Sequence, residues 1–251
     1  MPFLSAAGRS LEYEWIAGKG PALVFLHEGL GSIRQWRDFP ARVAAATGCP
    51  ALVYARYGYG QSEVLQEPRK PDFMHDEGLK VLPEVLLSLN IENPILVGHS
   101  DGASISLIYA GSGRPVRGVA ALAPHVFVEE HGLAGIRAAK RAFAETDLAE
   151  RLGKYHRDAE KTFRGWNDIW LAGEFRAWNI EEFLPRIACP VLAIQGEDDE
   201  YGTMAQAESI RRQVTGPCEV LKLAQCGHSP HRDQPEQVVS AVCRFIKNLL
   251  L

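Results

Sequence analysis

Short apolar runs alternate along the chain with longer stretches in which apolar side chains recur every three or four positions. The runs fall at 22–26, 51–54, 95–97, 116–122, 191–194 and 220–223. Each is bounded by glycine or proline and rich in Val, Ile and Leu, as expected of strands buried on both faces. Between them lie helical patterns: Trp36, Phe39, Val43 and Ala44, then Leu79, Leu82, Leu86 and Leu89. Met204, Ala207, Ile210 and Val214 repeat the spacing, as do Val238, Val242, Phe245, Ile246 and Leu249. The alternation predicts an α/β fold, a mostly parallel sheet with helices on both faces. Residues 3–6 and 10–16 predict an antiparallel lead-in hairpin turning at Gly8.

One segment breaks the rhythm. Residues 129–185 carry helical spacing and no strand signal, with Ile136, Ala139 and Phe143 on one face and Phe163, Trp166, Ile169 and Trp170 on another. This predicts a helical cap inserted into a core made of residues 1–128 and 186–251. The composition agrees with one large domain: 251 residues, 46% hydrophobic and 23% charged, enough to bury a core without disulfides or metal. A net charge of −4 leaves no electrostatic footprint for nucleic acid or an anionic membrane. No apolar run approaches the roughly 18 residues of a membrane span, and residues 1–15 lack the pattern of a secretory signal. Five scattered cysteines without a C-x-x-C pair read as reduced thiols, so the expected compartment is the cytoplasm. A homodimer is compatible with the sequence, though no feature requires one.

The chemistry centres on Gly98-His99-Ser100-Asp101-Gly102, which follows one predicted strand and opens a helical run through Ile105, Ile108 and Tyr109. In that context G-x-S-x-G is a nucleophile elbow, a sharp turn that lifts a serine hydroxyl above the sheet edge. The nucleophile needs a base and an orienting acid, in the chain order Ser, acid, His. After the strand at 191–194 stand Glu197, Asp198, Asp199 and Glu200; after the strand at 220–223 stands His228. Both lie at carboxyl ends of strands, where ligand sites of open α/β sheets form. His228 is therefore the expected general base, and one of the four acids its partner. His231 makes an H-x-x-H pair with His228, but no third ligand stands at a familiar metal spacing. The glycine-rich turn His27-Glu28-Gly29-Leu30-Gly31-Ser32 can aim a backbone N–H at an ester oxygen, so Gly29 and Asp101 are the expected oxyanion-hole donors.

Taken together, residues 27–32, Gly58-Tyr59-Gly60-Gln61-Ser62, the elbow at Ser100, Gly196-x-x-Asp199 and Gly227-His228 resemble the α/β-hydrolase superfamily over nearly the whole chain. The resemblance is greatest to capped bacterial carboxylesterases, kin to lactone, thioester and carbon–carbon bond hydrolases. It implies Asp199 rather than Asp198 as the triad acid, because relatives place that acid three residues after the glycine closing the strand. It also implies that residues 129–185 are the helical cap. Three departures stand out. Glu28 replaces the glycine that usually follows the histidine, and is expected to point away from the oxyanion. The usual Asp-x-Arg before Gly58 is replaced by Ala55 and Tyr57, leaving Arg56 offset. Asp101 follows the nucleophile where relatives carry a small or apolar residue, and its side chain is expected to cap the helix it starts.

A serine nucleophile points to an acyl-enzyme on a carbonyl substrate. The expected activity is hydrolysis of carboxylic esters of small, largely apolar acyl groups, with no cofactor and with a small-molecule ester as the partner. His125, Phe127, Trp166 and Trp170 are the expected substrate-binding residues, with Trp178 a weaker candidate. Alternatives are a thioester or lactone hydrolase, or a carbon–carbon bond hydrolase of ring-cleavage dienoates, for which Arg137, Arg141 or Arg164 would supply a cation. A ligand receptor retaining the triad is a further one, since fold does not fix function.

Overall fold

A computed structural model describes residues 1–251. The strands are β1 (Phe3–Ala6), β2 (Arg9–Ile16), β3 (Leu23–Leu26), β4 (Ala51–Tyr54), β5 (Ile95–His99), β6 (Gly118–Leu122), β7 (Val191–Gly196) and β8 (Cys218–Leu223). They form one eight-stranded sheet in the order β1-β2-β4-β3-β5-β6-β7-β8. The lead-in hairpin is antiparallel, turns through Gly8 at φ +71°, and joins the sheet by pairing β2 with β4. From β4 to β8 every pairing is parallel.

The helices α1 (Phe39–Thr47), α2 (Phe73–Asp76), α3 (Leu82–Ser88) and α4 (Asp101–Gly111) follow in order. After β6 come α5 (Glu130–Glu145), α6 (Leu148–Gly153) and α7 (Ala159–Leu171), and near the end α8 (Met204–Gln213), α9 (Pro230–Asp233) and α10 (Pro235–Leu250). The continuous apolar runs are explained by the two cores they separate. Leu23, Phe25, Ala51, Val53, Ile95 and Val97 face Val43, Val242 and Phe245 of α1 and α10. Their alternates Val24, Leu26, Leu52, Tyr54 and Leu96 face the core containing Leu82, Ile105 and Ile108 of α3 and α4. Period-two alternation therefore survives, but both faces are dry. All eleven residues of α4 are buried, because the sheet covers one side and the turn Glu181–Arg186 packs on another.

Residues 129–185 divide in two. Helices α5, α6 and α7 pack on one another, whereas Glu181–Arg186 packs on α4 and α8 and Asn179 bridges to Phe127. The strand order reverses around β3: β4 lies on one side and β5 on the other. The loops leaving β3 and β5 consequently emerge side by side, with Leu26 opposite Gly98, at the place where such sheets bind ligands.

Candidate active site

The β5–α4 turn is a single residue. Ser100 sits at φ +54°, ψ −120°, a conformation that costs a residue with a Cβ on the order of 1–3 kcal/mol. Surrounding structure holds it there: Ser100 N–H donates to the Leu122 carbonyl at 2.9 Å. The flanking glycines are steric necessities. A Cβ on Gly98 would stand 2.3 Å from the Gly102 carbonyl oxygen, and one on Gly102 would stand 2.0 Å from that of Leu26.

His228 arrives in the loop after β8 and Asp199 in the loop after β7. His228 Nε2 lies 2.9 Å from Ser100 Oγ, and its Nδ1 lies 2.9 Å from each Asp199 oxygen. With Nδ1–H facing the carboxylate, Nε2 is left to accept the serine proton. Asp199 also accepts from the backbone N–H groups of Tyr201 (2.8 Å) and Gly202 (3.2 Å), and from Gln195 Nε2 (2.7 Å). Burial pushes the Asp199 carboxyl up, but the His228 hydrogen bond and charge and the Tyr201 N–H outweigh it and hold the pKa at about 2. Burial pulls His228 down, yet Asp199 overrides it and raises this imidazole above its ordinary value. Asp198, by contrast, is exposed. His228 is fixed at its backbone as well: its N–H donates to Glu200 at 3.3 Å and its carbonyl accepts from His99 Nε2 at 2.7 Å. Sequence reasoning assigned Gln195 no role: it stands just past the apolar run at 191–194, and the structure extends β7 through it.

Ser100 and His228 open into a cavity of about 270 Å³. Leu30 of the β3 loop, Ile136 of α5, Leu148 and Leu152 of α6, and Trp166 and Trp170 of α7 form its apolar wall. His125 lines it too, edge-on to Trp170 at 5.1 Å, and burial followed by the nearby His228 lowers its pKa to about 3. Trp166 lies against Gly29 so closely that a Cβ there would meet its Nε1 at 2.1 Å.

Other expectations need correction. Phe127 does not line the cavity; its backbone pairs with Asn179 and Gln206. Trp178 stacks on Phe175, also outside the wall. Arg137 pairs with Glu130 and Arg164 with Glu160, while Arg141 is exposed, so none of these cations faces the cavity. The cation at its mouth is Arg232, from α9, held by Glu28 at 3.2 Å and by the Gln35 carbonyl at 2.8 Å. The Glu28 carboxylate pairs with Arg232, and its other oxygen lies 3.4 Å from His99 Nδ1. Asp101 does not cap α4. Its side chain is wholly buried, 3.7 Å from the equally buried Arg56. His231 packs among Trp36, Phe39 and His99.

Known proteins share this architecture. Among curated relatives, the 2-succinyl-6-hydroxy-2,4-cyclohexadiene-1-carboxylate synthase of Salmonella paratyphi C (strain RKS4594) is 26% identical, covering 90% of this chain and 94% of its own. The enol-lactonase of Burkholderia xenovorans LB400 superposes with a TM-score of 0.76 at 19% identity, covering 98% of this chain and 99% of its own. A carboxylesterase of Nitrososphaera gargenis gives 0.77 at 20% identity, covering 99% of both chains. No helix is long and apolar enough to cross a membrane. The sequence model of the alpha/beta hydrolase family matches residues 23–241, and with the elbow and the sheet order already described, this chain belongs to that family and is an enzyme of the hydrolase type.

Proposed function

We propose that the protein is a serine esterase cleaving small, uncharged, largely apolar carboxylic esters. The observation that carries this reading is the unbroken hydrogen-bonded chain from Asp199 through His228 to Ser100, ending on an apolar cavity. Ser100 Oγ attacks the ester carbonyl as His228 Nε2 takes its proton; the imidazolium, stabilised by Asp199, then protonates the departing alcohol. Water repeats the sequence and releases the acid and Ser100. The Gly29 and Asp101 N–H groups, neither taken by another backbone carbonyl, hold the oxyanion. Residues 129–185 act as the cap: α5, α6 and α7 roof the cavity, while Glu181–Arg186 anchors them to the core. The reduced cysteines suit action in the cytoplasm.

The cavity's charges argue for a neutral substrate. Arg232 is the cation at the mouth and is already paired with Glu28, while Glu200 adds a second carboxylate. The Salmonella relative's name contains a succinyl and a carboxylate group, and two anionic groups would here meet one engaged arginine. A panel of p-nitrophenyl esters of increasing acyl length, with thioesters, lactones, dienoates and a succinyl ester, tests the reading. Short neutral esters are expected to lead it. Faster turnover of the dienoate or the succinyl ester would replace the esterase reading by carbon–carbon or anionic-substrate chemistry, and single-turnover binding alone would favour a receptor.

A further inference from the structure

Arg56 leaves β4 directly into the core and is fully buried. A guanidinium so placed must be paired, since burying a lone charge is costly. Its Nη2 donates to the carbonyls of Glu28 (3.0 Å) and His27 (3.3 Å) and faces Asp101 Oδ2 at 3.7 Å. Its own backbone N–H donates to His27 Nε2 at 3.0 Å, and His27 Nδ1 in turn donates to the same Glu28 carbonyl at 2.7 Å. The Gly31 N–H closes the local turn on the same oxygen at 3.0 Å, so the Glu28 carbonyl is held by one donor from its own loop and two from the core.

That oxygen belongs to the Glu28–Gly29 peptide unit. In a trans peptide the C=O and N–H point in opposite directions. Drawing the Glu28 oxygen toward Arg56 and His27 therefore aims the Gly29 N–H the other way, toward the cavity that Gly29 lines. Three donors on the carbonyl, one of them the Arg56 guanidinium, also polarise the amide and strengthen its N–H as a donor. The second backbone donor is the Asp101 N–H in the first turn of α4, whose donors lack intrahelical acceptors. The side chain of that same residue faces the same guanidinium. One buried cation therefore reaches both loops that meet at the strand-order reversal.

We propose that Arg56, paired with Asp101, is a positioning residue that keeps the Gly29 and Asp101 N–H groups aligned on one oxyanion. The proposal rests on the Ser100 acyl-enzyme reading above. It also accounts for two departures at once: the offset arginine before Gly58 and the acid after the nucleophile occur together because they face each other.

The test compares wild type with R56K, which keeps the charge but loses the planar fork, and with the double variant Arg56→Met/Asp101→Leu, which leaves neither partner of this pair unmatched. Each is assayed for kcat and KM on p-nitrophenyl butyrate, for affinity toward an alkyl trifluoromethyl ketone whose serine adduct carries an oxyanion, and for melting temperature. Both variants are expected to lose about ten- to a hundredfold in kcat with KM within about twofold. Ketone affinity should fall by the same factor, and the double variant should keep a wild-type melting temperature. A folded double variant with wild-type kcat overturns the proposal. So does a loss of kcat without a parallel loss of ketone affinity. A wild-type enzyme that neither hydrolyses the ester nor binds the ketone instead overturns the reading of Ser100, and this one with it.

Discussion

Ser100 is flanked by two buried charged groups of opposite construction. On one side, His228 and Asp199 are joined by directional hydrogen bonds of 2.9 Å, and the Asp199 oxygens receive three further N–H donors. On the other, Arg56 and Asp101 stand 3.7 Å apart, and both Asp101 oxygens and the Arg56 Nε and Nη1 lack hydrogen-bond partners within the chain. The difference follows from what each must do. A proton moves only along a hydrogen bond, so its path has to be short and linear. In the proposed role, Arg56 holds the β3 loop by direct hydrogen bonds from Nη2 to the Glu28 and His27 carbonyls, and only its pairing with Asp101 acts through charge and tolerates a longer gap.

The largest effects should come from cutting the proton path. Ser100→Ala is expected to abolish ester turnover, on the order of 10⁶-fold, while circular dichroism and melting stay at wild type. Asp199→Asn should lower kcat on the order of 10⁴-fold by stabilising the wrong His228 tautomer. The exposed Asp198→Asn should stay within about twofold, and reversed magnitudes would move the triad acid.

The pH profile separates the two flanks more finely. Protonated His228 cannot accept the Ser100 proton, so kcat/KM should rise with pH through a single step, tenfold per unit on its acid limb. Because Asp199 raises His228, the midpoint should lie above 6.5. Asp199→Asn should move that midpoint down, and R56K should leave it in place. A midpoint that follows the Arg56 substitution would mean the two flanks are one coupled unit.

Next in size is the wall. Trp166→Ala should raise KM for apolar esters by about tenfold, the scale of one well-filled apolar contact, whereas Phe127→Ala should leave KM unchanged in the same assay. The smallest effect concerns stability. Burial, and then His99, hold His231 well below the ordinary histidine value, and neither of its ring nitrogens has a partner. The unfolded chain therefore takes up this proton first, so stability is complete above about pH 6.5 and falls on acidification below it. His231→Phe should flatten the fall in unfolding free energy between pH 6.5 and 5, by at most about 1.4 kcal/mol per pH unit, as read by chemical denaturation.

Much of this was legible in the sequence because it is local. The strand, glycine and serine spacing that makes the elbow lies within a few residues, and the strand-end positions of Asp199 and His228 follow from the alternation of elements. The choice of Asp199 among four consecutive acids came from family resemblance, and burial of this one carboxylate, hydrogen-bonded by Gln195, is its physical counterpart. What stayed hidden depends on long-range approach. Arg232 reaches Glu28 because α9 folds back over the β3 loop, a contact across 204 positions with no periodic signature. The arginines of α5 and α7 looked like cavity cations, but helical spacing pairs Arg164 with Glu160 on the surface instead. Phe127 looked like a wall residue until its backbone was captured by Gln206 and Asn179.

The tight seating of Trp166 on Gly29 has an optical consequence. Of the five tryptophans, Trp15 is partly exposed, Trp36 is buried against α1, and Trp178 lies outside the cavity wall. Trp166 and Trp170 alone line the cavity, so an acyl group entering it displaces water from two indoles and from no others. The protein thus carries its own fluorophores in the cavity proposed to take the ester, and the colour and intensity of its native emission should register occupancy before any bond is broken.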